Sequence, residues 1–305
     1  MEPVSINWQA MLFVAALAFA PGIFWLWYFY HRDIKPEPLP LISKCFVWGI
    51  VATVPALYAE RLVHISRPAD FIVVAPVVEE CMKFLVVYLT VYKSPQFDEP
   101  MDGVVFAAAA ALGFASLENV FYLYRAYVKS VGQLHLVTIL RAFFTVPGHA
   151  LFSIMWGYAL GRAKFSEERK GEILILKGLA LAIGFHALFN LLAEKDVLWC
   201  LGMIVLIPIM WGAVNRRIAV AELRSPHRSE KAFKEKLREL TAHVTTKFHS
   251  TGWYDNRATV IILLFFLFFP AGLYGLWLNT RFSRPEKVCY VVLWALMSGL
   301  LLAVK

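Results

Sequence analysis

The chain has 305 residues, of which 59% are hydrophobic and 17% charged, and its mean hydropathy is +0.60. A soluble globular domain of this length is less apolar, so composition excludes one and predicts an all-α, polytopic transmembrane helix bundle. The net charge of +8 does not point to nucleic acid, because Lys and Arg collect in the cytoplasmic loops of membrane proteins, where anionic lipid is the partner.

Nine apolar runs follow in order, over about 6–30, 41–58, 71–92, 103–124, 136–160, 173–192, 197–214, 259–278 and 288–304. A helix of ~20 residues spans the hydrocarbon. The first run is read as a span and not a signal peptide, since Glu2 and no basic residue precedes it and the run is too long. The cysteines Cys45, Cys81, Cys200 and Cys289 are scattered, which argues against a disulfide framework or a thiolate zinc site. The fourth run carries Ala107 to Ala111, and small residues let helices approach closely.

The domains read as a bundle over 1–214, a basic segment over 215–257 and a terminal hairpin over 258–305. In the basic segment Phe233, Leu237, Leu240 and Val244 recur at helical spacing. A surface helix touching anionic lipid on the cytoplasmic face is expected there. Arg32, Lys35, Lys93, Arg162, Lys164, Arg169 and Lys170 lie on the same side as this segment. Positive residues mark the cytoplasm, so the N-terminus is expected outside and the C-terminus inside. The basic 279–287 loop opposes this for the last two spans.

The third run holds Glu79, Glu80 and Lys83. A charge at a helix centre costs about 2.5–3.5 kcal/mol on insertion scales, so these groups must face protein, water or a metal. Ionisable residues inside a membrane are functional-site hypotheses. Glu118 and Asn119 follow in the fourth run, Arg141 and His149 in the fifth, and His186 and Asn190 in the sixth. Counted from the span ends, these groups fall between the outer half and the midplane of the bilayer. Two histidines with a third carboxylate suit zinc, which takes nitrogen and oxygen ligands and keeps a position for water.

The expected ligands are Glu118, His149 and His186. The Glu79–Glu80 pair supplies the base, Asn190 steadies an oxyanion and Lys83 balances charge. Glu80 is favoured to face the metal because Glu79 is expected to pair with Lys83 at i,i+4. Arg141 balances charge, and Pro147 kinks its helix and aims His149. The rival readings are a cation- or proton-coupled transporter and an idle scaffold that keeps the fold. Matching broken-helix repeats, which a transporter favours, are not evident.

These residues form ordered motifs. They are Glu79-Glu80-x-x-Lys83, then Asp102-Gly103 leading to Gly113-Phe114-x-x-x-Glu118-Asn119, then Arg141, Pro147-x-His149-Ala150, and His186-x-x-x-Asn190. In this the chain resembles the PrsW family of intramembrane metalloproteases, distantly similar to the type II CAAX prenyl endopeptidases. In those enzymes the second motif offers a His where this chain has Glu118. The resemblance covers about residues 20–193. It implies hydrolysis of a peptide bond in a membrane-anchored protein, within a bacterial cell membrane, without a serine nucleophile. Regulated signalling proteolysis is the setting it suggests. Residues 215–305 lie outside the motifs.

Overall fold

The computed structural model describes residues 8–63, 67–194 and 205–227, with 260, 269–279, 282, 287, 290 and 291 nearer the C-terminus. The helices are α1 (Trp8–Tyr30), α2 (Leu39–Leu62), α3 (Ala75–Thr90), α4 (Pro100–Lys129), α5 (Val131–Leu140), α6 (Val146–Lys164), α7 (Glu168–Ala193), α8 (Ile207–Leu223) and α9 (Phe269–Leu278). No strand occurs among the described residues. One compact unit comprises Met1–Asp196 with Met210–Arg228, and a second comprises Val197–Ile209 with Ser229–Lys305.

Among the described residues, five helical stretches are long and apolar enough to cross a membrane: Trp8–Tyr30, Leu39–Leu62, Pro100–Lys129, Val131–Lys164 and Arg169–Ala193. The all-α polytopic membrane bundle follows from them. The run over 71–92 is helical as well, but three charges interrupt it and α3 itself has only 16 residues. Of the run over 197–214, residues 197–204 lie outside the described residues, and Ile207 onward is α8, which continues to Leu223 because Ile218 and Ala221 extend its buried face. The expected surface helix at 229–243 and the run at 288–304 lie outside the described residues, apart from Tyr290 and Val291.

Two π-helical turns stand directly before site helices. Asp70–Val74 leads into α3, and Arg141–Thr145 leads from α5 into α6. The N–H of Ala75 bonds to Asp70 O, and that of Val146 to Arg141 O. Each turn precedes a proline, Pro76 or Pro147. Proline has no N–H, and its ring clashes with the carbonyl four residues back. Widening the preceding turn relieves that clash, and such turns are frequent at functional sites. The kink expected at Pro147 thus takes the form of a π turn.

Helix α4 is the axle of the first unit, buried at every position from Pro100 to Ser116. It packs against α1, α2 and α6. The contact with α6 is backbone to backbone at Gly103 and Gly157, where a Cβ on either residue would fall on the other's carbonyl oxygen. Backbone on two packed helices cannot step aside as a side chain can. Gly157→Leu is therefore expected to destabilise the protein by more than the ~1–3 kcal/mol usual for overpacking. Thermal melting in detergent checks this, with Gly184→Ala as a control because nothing lies near its Cβ direction.

Candidate active site

The charged residues of four apolar segments meet in the interior. Glu80, Lys83, His149, His186 and Asn190 are buried, with Glu79 only 7% exposed. Lys83, on α3, reaches both glutamates of its own helix, with Nζ 3.0 Å from Glu79 Oε2 and 2.9 Å from Glu80 Oε1. It also lies 2.9 Å from His149 Nδ1. An ammonium has donors only, so Nδ1 of His149 is the acceptor and its ring proton sits on Nε2. That nitrogen is 3.0 Å from Glu118 Oε2.

His186 is held in the mirror sense. Its Nδ1 is 3.1 Å from Glu80 Oε1. An ionised carboxylate only accepts, so His186 carries its proton on Nδ1 and its lone pair on Nε2. Each histidine is therefore backed by a carboxylate, Glu118 behind His149 and Glu80 behind His186. The remaining nitrogens turn toward Glu79, whose Oε2 is 3.6 Å from His149 Nδ1 and 4.0 Å from His186 Nε2. Carboxylates behind ligand histidines fix the tautomer and raise basicity, as is usual at metal sites.

The two glutamates differ in their surroundings. Glu80 is fully enclosed. Its Oε2 accepts from Ser153 Oγ at 2.7 Å and Trp156 Nε1 at 3.0 Å, while Oε1 faces Lys83 and His186. Glu79 instead lines a cavity of about 520 Å³, together with Thr53, Glu60, Phe71, Tyr122 and Glu118. So Glu80, expected to face the metal, is enclosed by α6 and α7 side chains, and Glu79 is the glutamate that meets the cavity.

Of the expected ligands Glu118, His149 and His186, the structure gathers the two histidines around Glu79. Their ligand atoms and that of Glu79 lie within 4.8 Å of one another. Glu118 stands on the other side of His149, paired with Arg141 at 2.8 Å. The Arg141 Nε also bonds Asn119, and its guanidinium stacks 4.1 Å over Tyr122. Arg141 thus balances Glu118. Asn190, expected to steady an oxyanion, donates to Phe71 O at 2.8 Å and pins α7 to the π turn before α3. Ser153 and Trp156 escaped the sequence reading. They lie four and seven residues after His149, on its own helical face, and that spacing could have found them.

The set fits a metal in donor type, since two histidines and a glutamate are a recognised catalytic zinc set. It also fits roughly in spacing, as ligands of a tetrahedral zinc stand ~3.3 Å apart. With neutral rings, the carboxylates of Glu79, Glu80 and Glu118 outnumber Lys83 and Arg141 by one charge, which favours a cation. Lys83 would have to withdraw toward Glu80 to admit it.

A family profile described as PrsW family intramembrane metalloprotease matches residues 37–213. The chain is 34% identical over 210 residues to "Protease PrsW" of Geobacillus kaustophilus, covering 67% of this chain and 89% of that protein. It is 30% identical over 206 residues to the protein of the same name from Oceanobacillus iheyensis, covering 66% and 92%. Against that of Bacillus subtilis it is 27% identical over 207 residues, covering 66% and 92%. No solved structure matches it. The profile spans the glutamate pair, both histidines and the helices that carry them, and the chain belongs to the PrsW family of intramembrane metalloproteases.

Proposed function

We propose that the chain is a zinc-dependent endopeptidase that hydrolyses a peptide bond of a membrane-anchored protein at the cavity between α2, α3 and α4. The observation that carries this reading is the pair of carboxylate-backed histidines turned toward Glu79 at that cavity. Regulated signalling proteolysis is the setting. The N-terminus is read as outside the cell, with the residues of 215–257 on anionic lipid inside.

His149, His186 and Glu79 would hold the metal. When bound, zinc polarises a water and the scissile carbonyl. The chain's own groups do the rest. Glu79 meets the cavity, and its carboxylate oxygen that is not on the metal would take the proton of the attacking water. Lys83, 3.0 Å from Glu79, steadies charge as the proton moves. Glu118 and Glu80 hold the two rings in the tautomers that leave the required lone pairs inward. Asn190 has a second amide hydrogen beyond its bond to Phe71, available to a developing oxyanion. Val54, Leu57 and Phe121 on the cavity wall suit the apolar side chains of a transmembrane substrate.

The test is cleavage of a single-pass substrate co-reconstituted in liposomes, with metal content measured by elemental analysis. Cleavage is expected to fall to background on chelation, return with Zn²⁺, and be absent in His149→Ala and His186→Ala, both with reduced zinc. Full cleavage by protein with no measurable metal would sink the zinc assignment. Full cleavage by both histidine variants would sink the site.

A further inference from the structure

At the other end of α4, five carboxylates, four from two loops and one from its own first turn, crowd together. Asp33 and Glu37 lie between α1 and α2, Asp98 and Glu99 precede α4, and Asp102 is in its first turn. Asp33, Glu37, Glu99 and Asp102 are 7%, 2%, 1% and 0% exposed. Carboxylate oxygens of Asp33, Glu99 and Asp102 lie within 4.8 Å of one another, and so do those of Glu37, Asp98 and Asp102. Asp102 and Glu118 are sixteen residues apart on one helix, or roughly 24 Å, so this cluster shares nothing with the histidines.

Helix capping accounts for only part of it. Asp102 Oδ2 accepts from the N–H groups of Asp98 at 2.6 Å and Glu99 at 2.8 Å. Asp33 Oδ1 accepts from the Lys35 N–H at 3.1 Å. These bonds fix one oxygen of each side chain. Asp33 Oδ2, Glu37 Oε2 and Asp102 Oδ1 are buried with no hydrogen-bond partner among the described residues. The nearby cations are engaged: Lys35 and His227 pair with Asp98, Arg32 with Glu222, and Lys164 donates to the carbonyls of Tyr92 and Ser94.

Buried ionised carboxylates without partners are expensive. Either protons or a cation must neutralise them. Burial and the neighbouring charges push Asp33 and Glu37 each up to about 8, so near neutral pH protons and a cation compete for the same oxygens. A donor set made only of carboxylate oxygens suits a hard divalent cation rather than a soft one. Asp98, with its side chain 34% exposed, gives the site a path from water.

We propose that Asp33, Glu37, Glu99 and Asp102, with Asp98 at the rim, bind a hard divalent cation, Mg²⁺ or Ca²⁺, which fastens the α1–α2 and α3–α4 loops to the first turn of α4. In the Asp102-Gly103 motif, the glycine admits α6 and the aspartate is a ligand. The site would hold the axle helix at the membrane end opposite the cavity.

The test uses the full chain in detergent, stripped with EDTA and desalted. Binding is read by equilibrium dialysis with ⁴⁵Ca²⁺ and by calorimetry with Mg²⁺. One equivalent is expected, with a melting temperature that rises with cation concentration. The His149→Ala/His186→Ala variant should keep that equivalent. Asp33→Asn/Glu37→Gln should weaken binding by about tenfold or more, since affinity follows ligand charge, and the single Glu37→Gln variant serves if the double one does not fold. If the wild type binds neither ion at millimolar concentration, or if the histidine variant loses the binding, the proposal is overturned. It is equally overturned if stability responds to pH in chelator but not to either cation, which would mean that the carboxyls share protons instead.

Discussion

Glu79→Gln is expected to leave the fold intact and to lower cleavage about 10²–10⁴-fold, the usual loss on removing a general base. The substitution keeps the side chain's shape at a position that meets the cavity and removes the group able to take a proton. Glu80→Gln is expected to fail differently. All four of its contacts, from Ser153, Trp156, Lys83 and His186, need an acceptor, and an amide turns one acceptor into a donor. At least one buried donor then goes unpaired, at ~1–3 kcal/mol, and His186 loses the carboxylate behind it. Its activity should fall together with its melting temperature and zinc content, whereas Glu79→Gln should lose rate, and part of the zinc that Glu79 helps to hold, at an unchanged melting temperature. If Glu80→Gln melts normally and is dead while Glu79→Gln cleaves at the wild-type rate, the two roles are reversed. If both variants and the double variant cleave normally, the glutamates are structural and the mechanism is wrong.

The convergence of Glu79, Glu118, His149 and His186 was legible because lipid leaves such groups nowhere else to go. Their division of labour was not. Spacing along α3 suggested that Lys83 would take Glu79 and leave Glu80 for the chemistry, but Lys83 reaches both. What separates the two is the neighbouring helix: Ser153 and Trp156 close over Glu80, and no rule within α3 contains α6. The pairing of Glu118, expected as a ligand, with Arg141 was equally hidden, because the guanidinium comes from the π turn at Arg141–Thr145 on a different helical segment. The turn itself was half legible, since Pro147 announces a disturbance but not its form. The acidic cluster was invisible for a different reason. Asp33, Glu37 and Glu99 lie in loops, where carboxylates are ordinarily solvated, and only the packing of the two loops onto α4 buries them.

The last expectation concerns Lys83, which is fully buried. Its ammonium is within 3.0 Å of Glu79 and Glu80 and lies 4.5 Å over the Phe114 ring. Lys83→Met keeps the length and the apolar stem but leaves two neighbouring carboxylates facing each other in a low-dielectric interior. Removing one partner of a buried pair typically costs about 3–5 kcal/mol, because the other charge stays buried and uncompensated. Adding Glu80→Gln removes one of those charges, so the double variant is expected to melt above Lys83→Met alone, and the two substitutions should be strongly non-additive. Lys83→Arg is not a rescue, because a planar guanidinium cannot address Glu79, Glu80 and His149 from one point. Thermal melting in detergent of the wild type, both single variants and the double variant reads the coupling. If Lys83→Met melts with the wild type, or if Glu80→Gln only adds to its damage, the ammonium is not what neutralises this interior and the charge assignment of the site falls with it.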